Sequence, residues 1–236
     1  RLFVVATPIG NLADVSDRAR TTLERADRVA CEDTRRTGRL LEAIGVEARL
    51  VSLHEHNERQ RVPSLLAAMK EGETVAQVSD AGTPLVSDPG FVLVREAVAR
   101  GLAVEAIPGP SALLVALVVS ALPPLPFTFA GFPPPKAGRR KTFYRRFAEL
   151  DHTVIFFETP HRIERSLADA VEVLGGERPA ALCRELTKLH EEVLRGSLEE
   201  LHESIAERSS LKGELVLVVG TAPKSSTPDD SLTRDR

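Results

Sequence analysis

The sequence is poor in aromatic residues and in cysteine. Nine of its 236 residues are Phe, one is Tyr and none is Trp, so aromatic residues make up only 4% of the chain. This scarcity argues against recognition of a ligand by a stacking platform. The two cysteines, Cys31 and Cys183, are too few for a disulfide framework or a cysteine-based metal site. Their positions in or beside apolar runs predict buried, reduced thiols.

Long apolar segments are also lacking. The longest apolar run, Ala112–Val119, is too short to cross a bilayer. Arg1 leads directly into the strand-like run Leu2–Ala6, and this start does not have the pattern of a signal peptide. Hydrophobic residues make up 42% of the chain and charged residues 28%, which is typical of a globular protein. We therefore expect a soluble protein of the cytoplasm.

The net charge of −3 gives no argument for a nucleic-acid partner, but the distribution of charge does. Six cations and no acid lie between Lys136 and Arg146, whereas acids dominate from Glu185 to Glu214. Such a polarised chain can hold a phosphate backbone locally, although a charge run is also typical of a solvated surface. The cations predicted to contact phosphates are Arg35, Arg36, Arg39, Lys136, Arg139, Arg140, Lys141, Arg145 and Arg146.

Short β-rich runs alternate with helical patterns, which predicts an α/β fold with a largely parallel sheet. In the first half, strands are predicted at Leu2–Ala6, Arg28–Cys31, Arg49–Leu53, Thr74–Val78 and Ala103–Ile107. Helices are predicted at Ser16–Ala26, Thr34–Ile44, Glu58–Lys70 and Pro89–Arg100. Ser87-Asp88-Pro89 has the pattern of a helix start and Gly101 that of a helix end.

A proline-rich stretch, Leu122–Pro126, predicts a boundary between a domain at 1–123 and a second α/β domain at 126–220. In the second domain, strands are predicted at Phe127–Gly131, Thr153–Phe157, Ala180–Arg184, Glu191–Arg195 and Glu214–Val219. Helices are predicted at Arg139–Glu149, Arg162–Leu174 and Leu198–Ser209. Antiparallel pairing of the last two strands would make this sheet mixed. Residues 221–236 are polar and predicted to be a disordered tail.

Four predicted strand-end loops are rich in Gly, Pro and small polar residues, and ligands of open α/β sheets bind at such ends. They lie at 7–11, 78–90, 107–112 and 157–162, and the last has a companion at 183–188. Asp80 directly follows a strand, where its carboxylate can accept hydrogen bonds from ligand hydroxyls or amines. Each loop alone also fits an ordinary turn, a capped helix or a salt-bridged helix start.

Several familiar sites are not predicted. His54 and His56 are two residues apart and no third ligand follows at a familiar spacing, so we expect no metal. The signatures of a P-loop, of a Rossmann dinucleotide site and of a nucleophile elbow do not occur.

Taken in order, the motifs resemble the tetrapyrrole methylase superfamily, and within it the bacterial branch that methylates riboses of 16S rRNA. The resemblance spans about Leu2 to Gly220 and is specific because seven individually weak motifs follow in the right order. It is carried by Val5–Leu12, Cys31–Arg35, His54–Glu58, Ser79–Pro84, Pro108–Ala112, Gly131–Pro134 and Glu158–Arg162. Porphyrin-methylating relatives have a Gly-Pro-Gly-Asp-Pro turn after the first strand. This chain has Thr7-Pro8-Ile9-Gly10-Asn11, which argues against a tetrapyrrole substrate.

The resemblance implies two α/β domains of the tetrapyrrole methylase type with S-adenosyl-L-methionine in the cleft between them. It also implies a homodimer that methylates the ribose 2′-OH of cytidine 1402 in 16S rRNA of the small ribosomal subunit. Cofactor-binding residues are expected at Pro8, Ile9, Gly10, Asp80, Ala81, Gly82, Thr83, Ser111, Ala112, Phe157, Lys212, Gly213 and Glu214.

A ribose hydroxyl is a poor nucleophile until its proton is withdrawn, so a general base or a charge stabiliser is expected. The candidates are Glu158, Glu185 and Lys188, because they lie at predicted strand ends. Two alternatives remain open at this point. One is another methyltransferase of the superfamily, acting on a tetrapyrrole or a protein side chain, and the other is a non-catalytic RNA-binding assembly factor.

Overall fold

Strands and helices alternate through the first half of the chain in the computed structural model, which describes residues 1–221. The strands are β1 (Leu2–Val5), β2 (Arg28–Cys31), β3 (Leu50–Ser52), β4 (Val75–Gln77) and β5 (Val104–Ile107). The helices are α1 (Asp17–Arg25), α2 (Thr34–Ala43), α3 (Glu58–Lys70) and α4 (Phe91–Ala99). A short 3-10 turn lies at Leu12–Asp14. Every predicted helix and strand of this half is confirmed to within two residues.

The first sheet has the order β3-β2-β4-β1-β5, and all its paired neighbours are parallel. On one face, Leu23 of α1 and Leu41 of α2 pack into an apolar core. On the other face, Leu65 of α3 and Leu93 of α4 do the same. Covered on both faces, the central strands β1 and β4 are buried almost throughout and consist of apolar residues apart from Gln77, as buried parallel strands usually do.

The topology places a crevice at the carboxyl end of β4. The helices that follow β1 and β2 lie on one face of the sheet, and those that follow β3 and β4 lie on the other. Since β4 lies between β2 and β1, the chain leaving β4 diverges from the chains leaving both neighbours. Such a switch point is where open α/β sheets bind ligands.

The second half begins with α5 (Ala112–Ser120) and forms a mixed sheet. Its strands are β6 (Phe127–Phe129), β7 (Thr153–Glu158), β8 (Pro179–Arg184), β9 (Glu192–Ser197) and β10 (Leu215–Val219). Its helices are α6 (Ala137–Arg145), α7 (Ile163–Leu174) and α8 (Leu198–Ala206). The predicted α/β fold class is confirmed for both halves, although α6 and α8 end earlier than expected.

The predicted pairing of the last two strands is wrong. The order of the second sheet is β6-β7-β10-β8-β9, and β10 pairs antiparallel with β7 rather than with β9. All five residues of β10 are buried, whereas β9 is partly exposed along its length. A strand that is apolar on both faces is stable at the centre of a covered sheet, so β10 takes that place and β9 the edge.

The structure divides into two units whose limits differ from the predicted domains. Among the described residues, the first unit contains Arg1–Ala116 and Arg184–Glu192, and the second contains Leu117–Cys183 and residues 193–221. The division therefore falls inside α5, upstream of the proline-rich stretch. The predicted tail at 221–236 lies outside the described residues apart from Thr221. No helix within residues 1–221 is long and apolar enough to cross a membrane.

The predicted N-terminal cap of α4 is also wrong, because residues of β4 and α3 determine where this helix begins. The helix is capped by Gly90, at φ 112°, and not by Ser87 or Asp88. A Cβ atom on Gly90 would lie 1.3 Å from Nε2 of buried Gln77, which donates to the carbonyl of Pro89 (3.0 Å). Glu58 of α3 accepts from the Val92 amide (3.1 Å). Two buried polar side chains therefore set where α4 begins.

Candidate functional site

Three strand-end loops of the first unit are joined by hydrogen bonds into one rim. The Thr7 amide donates to the Gly82 carbonyl (2.9 Å) and the Gly82 amide to the Thr7 carbonyl (3.1 Å), which links the loops after β1 and β4. The Thr83 hydroxyl donates to the carbonyl of Pro110 (3.2 Å) and so links the loops after β4 and β5. We call the joined segments 7–10, 79–83 and 109–112 the strand-end rim; it lies at the switch point described above.

Glycine is required at two positions of the strand-end rim. Gly82 has φ 82°, and a Cβ there would lie 3.2 Å from Cγ2 of Ile9. A Cβ on Gly109 would lie 3.0 Å from Cβ of Ala6. The two glycines therefore let neighbouring strand-end segments pack closely, with Gly82 buried between them and Gly109 exposed at the surface.

Asp80 is already engaged within the first unit. Its carboxylate accepts from the Asp33 amide (3.2 Å) and forms an ion pair with Arg36 (3.2 Å). Asp33 in turn caps α2 by accepting from the Arg35 amide (2.8 Å). The Arg35 side chain, together with its own amide, lowers the pKa of Asp33 to about 2. Asp80 therefore joins the loop after β4 to the start of α2.

Two further carboxylates, Glu32 and Asp88, lie near Asp80 and form no ion pair with any described residue. Burial, followed by repulsion from Glu32 and Asp80, raises the pKa of Asp88 to about 6. Burial and the neighbouring Asp80 also raise the pKa of Glu32. Asp88 forms no ion pair with any residue of the described chain. Residues 1–221 contain no group of three or more His, Cys, Asp or Glu side chains arranged to hold a metal ion.

Glu185 and Lys188 lie against the first loop of the strand-end rim. They form an ion pair at 2.7 Å in a segment that belongs to the first unit. A Cβ on Gly10 would lie 2.3 Å from Cγ of Lys188, so the lysine side chain crosses directly over this glycine. The structure thus brings these two predicted catalytic residues to a predicted cofactor-binding residue.

Glu158 does not have the surroundings expected of a general base. Its side chain is completely buried, and its carboxylate accepts from the Ser166 hydroxyl (2.9 Å) and the Thr159 amide (2.7 Å). Arg162 adds an ion pair at 3.3 Å, and Ser166 also bonds to the Tyr144 hydroxyl (2.6 Å). Because both carboxylate oxygens are occupied inside the second unit, we correct the assignment of Glu158 from catalytic to structural.

The predicted phosphate-binding set needs a similar correction. Arg140 is 3% exposed and pairs with Asp169 of α7 at 2.6 Å, while Lys141 pairs with Asp169 and with Glu172. These two cations join α6 to α7, so we no longer assign them to phosphate binding. The remaining predicted cations are exposed or partly exposed, namely Lys136, Arg139, Arg145, Arg146, Arg35, Arg36 and Arg39. Arg35 and Arg36 are also engaged with Asp33 and Asp80.

The other predicted cofactor-binding residues are divided between the two units. Pro8, Ala81, Ser111 and Ala112 are partly buried in the first unit, and Ile9 is buried beneath Gly82. The second unit contains Phe157 and the segment Lys212-Gly213-Glu214 that precedes β10. As a binding set these residues remain a prediction.

Sequence patterns missed several polar residues that shape these sites. Gln77, Glu58 and Ser166 are buried and hydrogen-bonded, and Tyr144 lies in the core of the second unit. A glutamine inside the apolar strand β4 is the one local signal that predicts a buried polar contact. Phe132 lies within the motif Gly131–Pro134, but no local pattern indicates that its ring is exposed.

Comparison with known proteins gives a consistent picture. The family model described as tetrapyrrole (corrin/porphyrin) methylases matches residues 1–202. A protein of Mesorhizobium japonicum named ribosomal RNA small subunit methyltransferase I is 51% identical over 97% of this chain and 78% of its own length. Proteins with the same name from Mycobacterium tuberculosis (49%, over 94% of this chain and 79% of theirs) and Escherichia coli O157:H7 (44%, over 98% and 82%) are similarly close.

Solved structures share the fold at much lower identity. The methyltransferase CobJ has a TM-score of 0.70 at 18% identity and covers 94% of both chains. Diphthine synthase has a TM-score of 0.67 at 18% identity, over 93% of this chain and 89% of its own. A Thermus thermophilus uroporphyrin-III C-methyltransferase, solved with S-adenosyl homocysteine, has a TM-score of 0.63 at 19% identity, over 93% and 97%.

Proposed function

Because the chain belongs to the tetrapyrrole (corrin/porphyrin) methylase family, we propose that it is an S-adenosylmethionine-dependent methyltransferase of small-subunit ribosomal RNA. We propose further that its target is the ribose 2′-OH of cytidine 1402 in 16S rRNA. The observation that carries the proposal is the 51% identity to a ribosomal RNA small subunit methyltransferase I over 97% of the chain. A homodimer acting in the cytoplasm on the small ribosomal subunit is part of the proposal.

The strand-end rim fits the cofactor, whose polar groups include an amine, a carboxylate and ribose hydroxyls. Exposed Gly109 leaves the backbone of its loop open to close approach, and Asp80 and Thr83 supply polar side chains in the loop that buried Gly82 fastens to Thr7. Ser111 and Ala112, at the start of α5, leave backbone amides that suit a carboxylate. When bound, S-adenosylmethionine supplies an activated methyl group.

The residues of the chain must align the acceptor hydroxyl and withdraw its proton. Since Glu158 is structural, Glu185 is the remaining carboxylate that could act as the general base. Its partner Lys188 holds this carboxylate in place at 2.7 Å. The left-handed backbone at Glu185 (φ 50°) and Thr187 (φ 67°) shapes this short loop. Strained backbone of this kind is enriched at functional sites, which supports the assignment of Glu185 as proton acceptor and Lys188 as charge stabiliser.

The decisive experiment supplies small ribosomal subunits that lack the methyl group together with radiolabelled S-adenosylmethionine. We expect label in 16S rRNA, on the ribose of cytidine 1402, identified by nuclease mapping. Label on another nucleotide would refute the specific target but retain the activity. Transfer to a tetrapyrrole or a protein in place of rRNA would refute the substrate class. Failure to bind S-adenosylmethionine in calorimetry would instead favour the non-catalytic assembly factor.

A further inference from the structure

An exposed phenylalanine in the second unit packs against another phenylalanine ring, which in turn packs against a third. Phe132 is 47% exposed, and its ring centroid lies 5.4 Å from that of the partly buried Phe157. Phe157 in turn contacts Phe129 edge to face at 4.8 Å. The chain is poor in aromatic residues as a whole, yet three of its rings follow one another in contact here, and the outermost is accessible to solvent.

The segment that follows Phe132 is held rigidly in place. It consists of three prolines, Pro133 to Pro135, which restrict the backbone. Arg162 donates to the carbonyl of Pro133 (3.4 Å) and Arg140 to the carbonyl of Pro135 (3.0 Å). Two arginines therefore clamp the ends of the proline segment.

Both clamping arginines are themselves anchored by buried carboxylates. Arg140 pairs with Asp169 at 2.6 Å, and Arg162 pairs with Glu158 at 3.3 Å. This gives Glu158 and Arg140 a shared role that differs from the one predicted for either. They position the proline segment, so that Phe132 is held ready for a ligand and little conformational entropy is lost on binding.

Two unpaired cations follow the proline segment. Lys136 and Arg139 are exposed and form no ion pair with any described residue. With Gly138 and Thr142 they line an open depression of about 540 Å³ at the beginning of α6. The first turn of a helix also carries a partial positive charge, which adds to the attraction for an anion.

We propose that Phe132, Lys136 and Arg139 form a binding site for single-stranded RNA, with a nucleobase stacked on Phe132 and phosphates contacted by the two cations. A single exposed aromatic residue needs no functional explanation. Here, however, the ring is rigidly supported and unpaired cations follow it within seven residues of the chain, and an aromatic ring combined with positive charge is how proteins bind single-stranded nucleic acid. The inference rests on the proposed function, since it names where the RNA substrate is held.

The test is the affinity of the full chain for a short unstructured RNA oligonucleotide, measured by fluorescence anisotropy at several salt concentrations without cofactor. We expect Phe132→Leu to weaken binding by about 5- to 150-fold with an unchanged salt dependence, because it removes a stacked base and no charge. Phe132→Tyr should retain the affinity. Lys136→Gln combined with Arg139→Gln should instead reduce the slope of log affinity against log salt by about 0.7 for each phosphate that is no longer neutralised.

Phe91→Leu provides the matched control, because Phe91 is 62% exposed and has Arg95 over its ring at 5.8 Å, but lies in the first unit. Equal effects of Phe132→Leu and Phe91→Leu would overturn the proposal. So would a loss of S-adenosylmethionine affinity in calorimetry with unchanged RNA affinity, which would mean that Phe132 contacts the adenine of the cofactor. Thermal denaturation checks that both variants fold. RNA binding is measured without methyl transfer, so failure of the methylation assay leaves this test intact.

Discussion

Single acidic residues at strand ends differ in function according to what surrounds them. Glu158 is the last residue of β7, and Asp88 lies in the long loop that follows β4. Glu158 is completely buried and its oxygens are occupied by Ser166, Thr159 and Arg162. Asp88 lies beside the like charges of Glu32 and Asp80 and forms no ion pair within the described chain. Burial with partners stabilises a charge, whereas burial without them destabilises it.

The raised pKa of Asp88 predicts a measurable dependence of stability on pH. The folded protein binds this proton up to pH of about 6, whereas the unfolded chain releases it at about 4. The contribution of Asp88 to the free energy of unfolding therefore falls as pH rises from about 4 to about 6, and then stays constant. Asp88→Asn should abolish this fall and raise stability at pH 8.

Urea denaturation between pH 4 and pH 8 measures this effect. Glu47→Gln is a suitable control, because Glu47 is an exposed carboxylate. An Asp88→Asn variant that is less stable than the natural chain at pH 8 would contradict the prediction.

At the scale of elements, α6 is fixed to α7 by charge and to the proline segment by hydrogen bonds. Arg140 and Lys141 of α6 share Asp169 of α7, and Arg140 also holds Pro135. Behind them, Phe143, Tyr144 and Phe147 contact Phe156 of β7 edge to face. Part of the basic run at 136–146 is therefore structural, and the rest faces solvent.

Asp169→Asn tests this arrangement, because it leaves the buried guanidinium of Arg140 without its counter-charge. Removing one partner of a buried ion pair costs about 3–5 kcal/mol. We expect a loss of this size in the free energy of unfolding, measured by urea denaturation. Glu172→Gln removes an exposed partner of Lys141 and should cost at most about 1 kcal/mol. Comparable losses for the two variants would show that the buried Arg140–Asp169 pair contributes no more to the free energy of unfolding than the partly exposed Lys141–Glu172 pair.

At the scale of the whole molecule, α5 exposes apolar side chains. Every residue of this helix except its final Ser120 is apolar, yet Leu114 is 49% and Val118 is 79% exposed. A helix that is apolar on all sides is normally covered. In the proposed homodimer, a second copy of the chain would cover this face.

Light scattering of the purified protein tests this arrangement. We expect a mass twice that of one chain for the natural sequence and a single-chain mass for Val118→Lys, because a buried lysine would lose its hydration at the interface. Val98→Lys changes an equally apolar and 61% exposed residue of α4 and should remain dimeric. A Val118→Lys protein that keeps the double mass would place the interface elsewhere.

The alternation of strands and helices, and the loops that form the strand-end rim, could be predicted from the sequence by itself. Both depend on local properties: apolar periodicity defines the elements, and glycine or proline beside a strand end defines the loops. Gly82 and Thr83 were identified in this way, and the structure joins them to Thr7 and Pro110.

Only the tertiary structure decided which charged residues are available to a ligand. Arg140 meets Asp169 across 29 residues of sequence, and Gln77 meets Pro89 across 12. The central place of β10 likewise depends on how completely its two faces are covered by other elements. Burial and pairing are properties of residues that are distant along the chain, so no local pattern contains them.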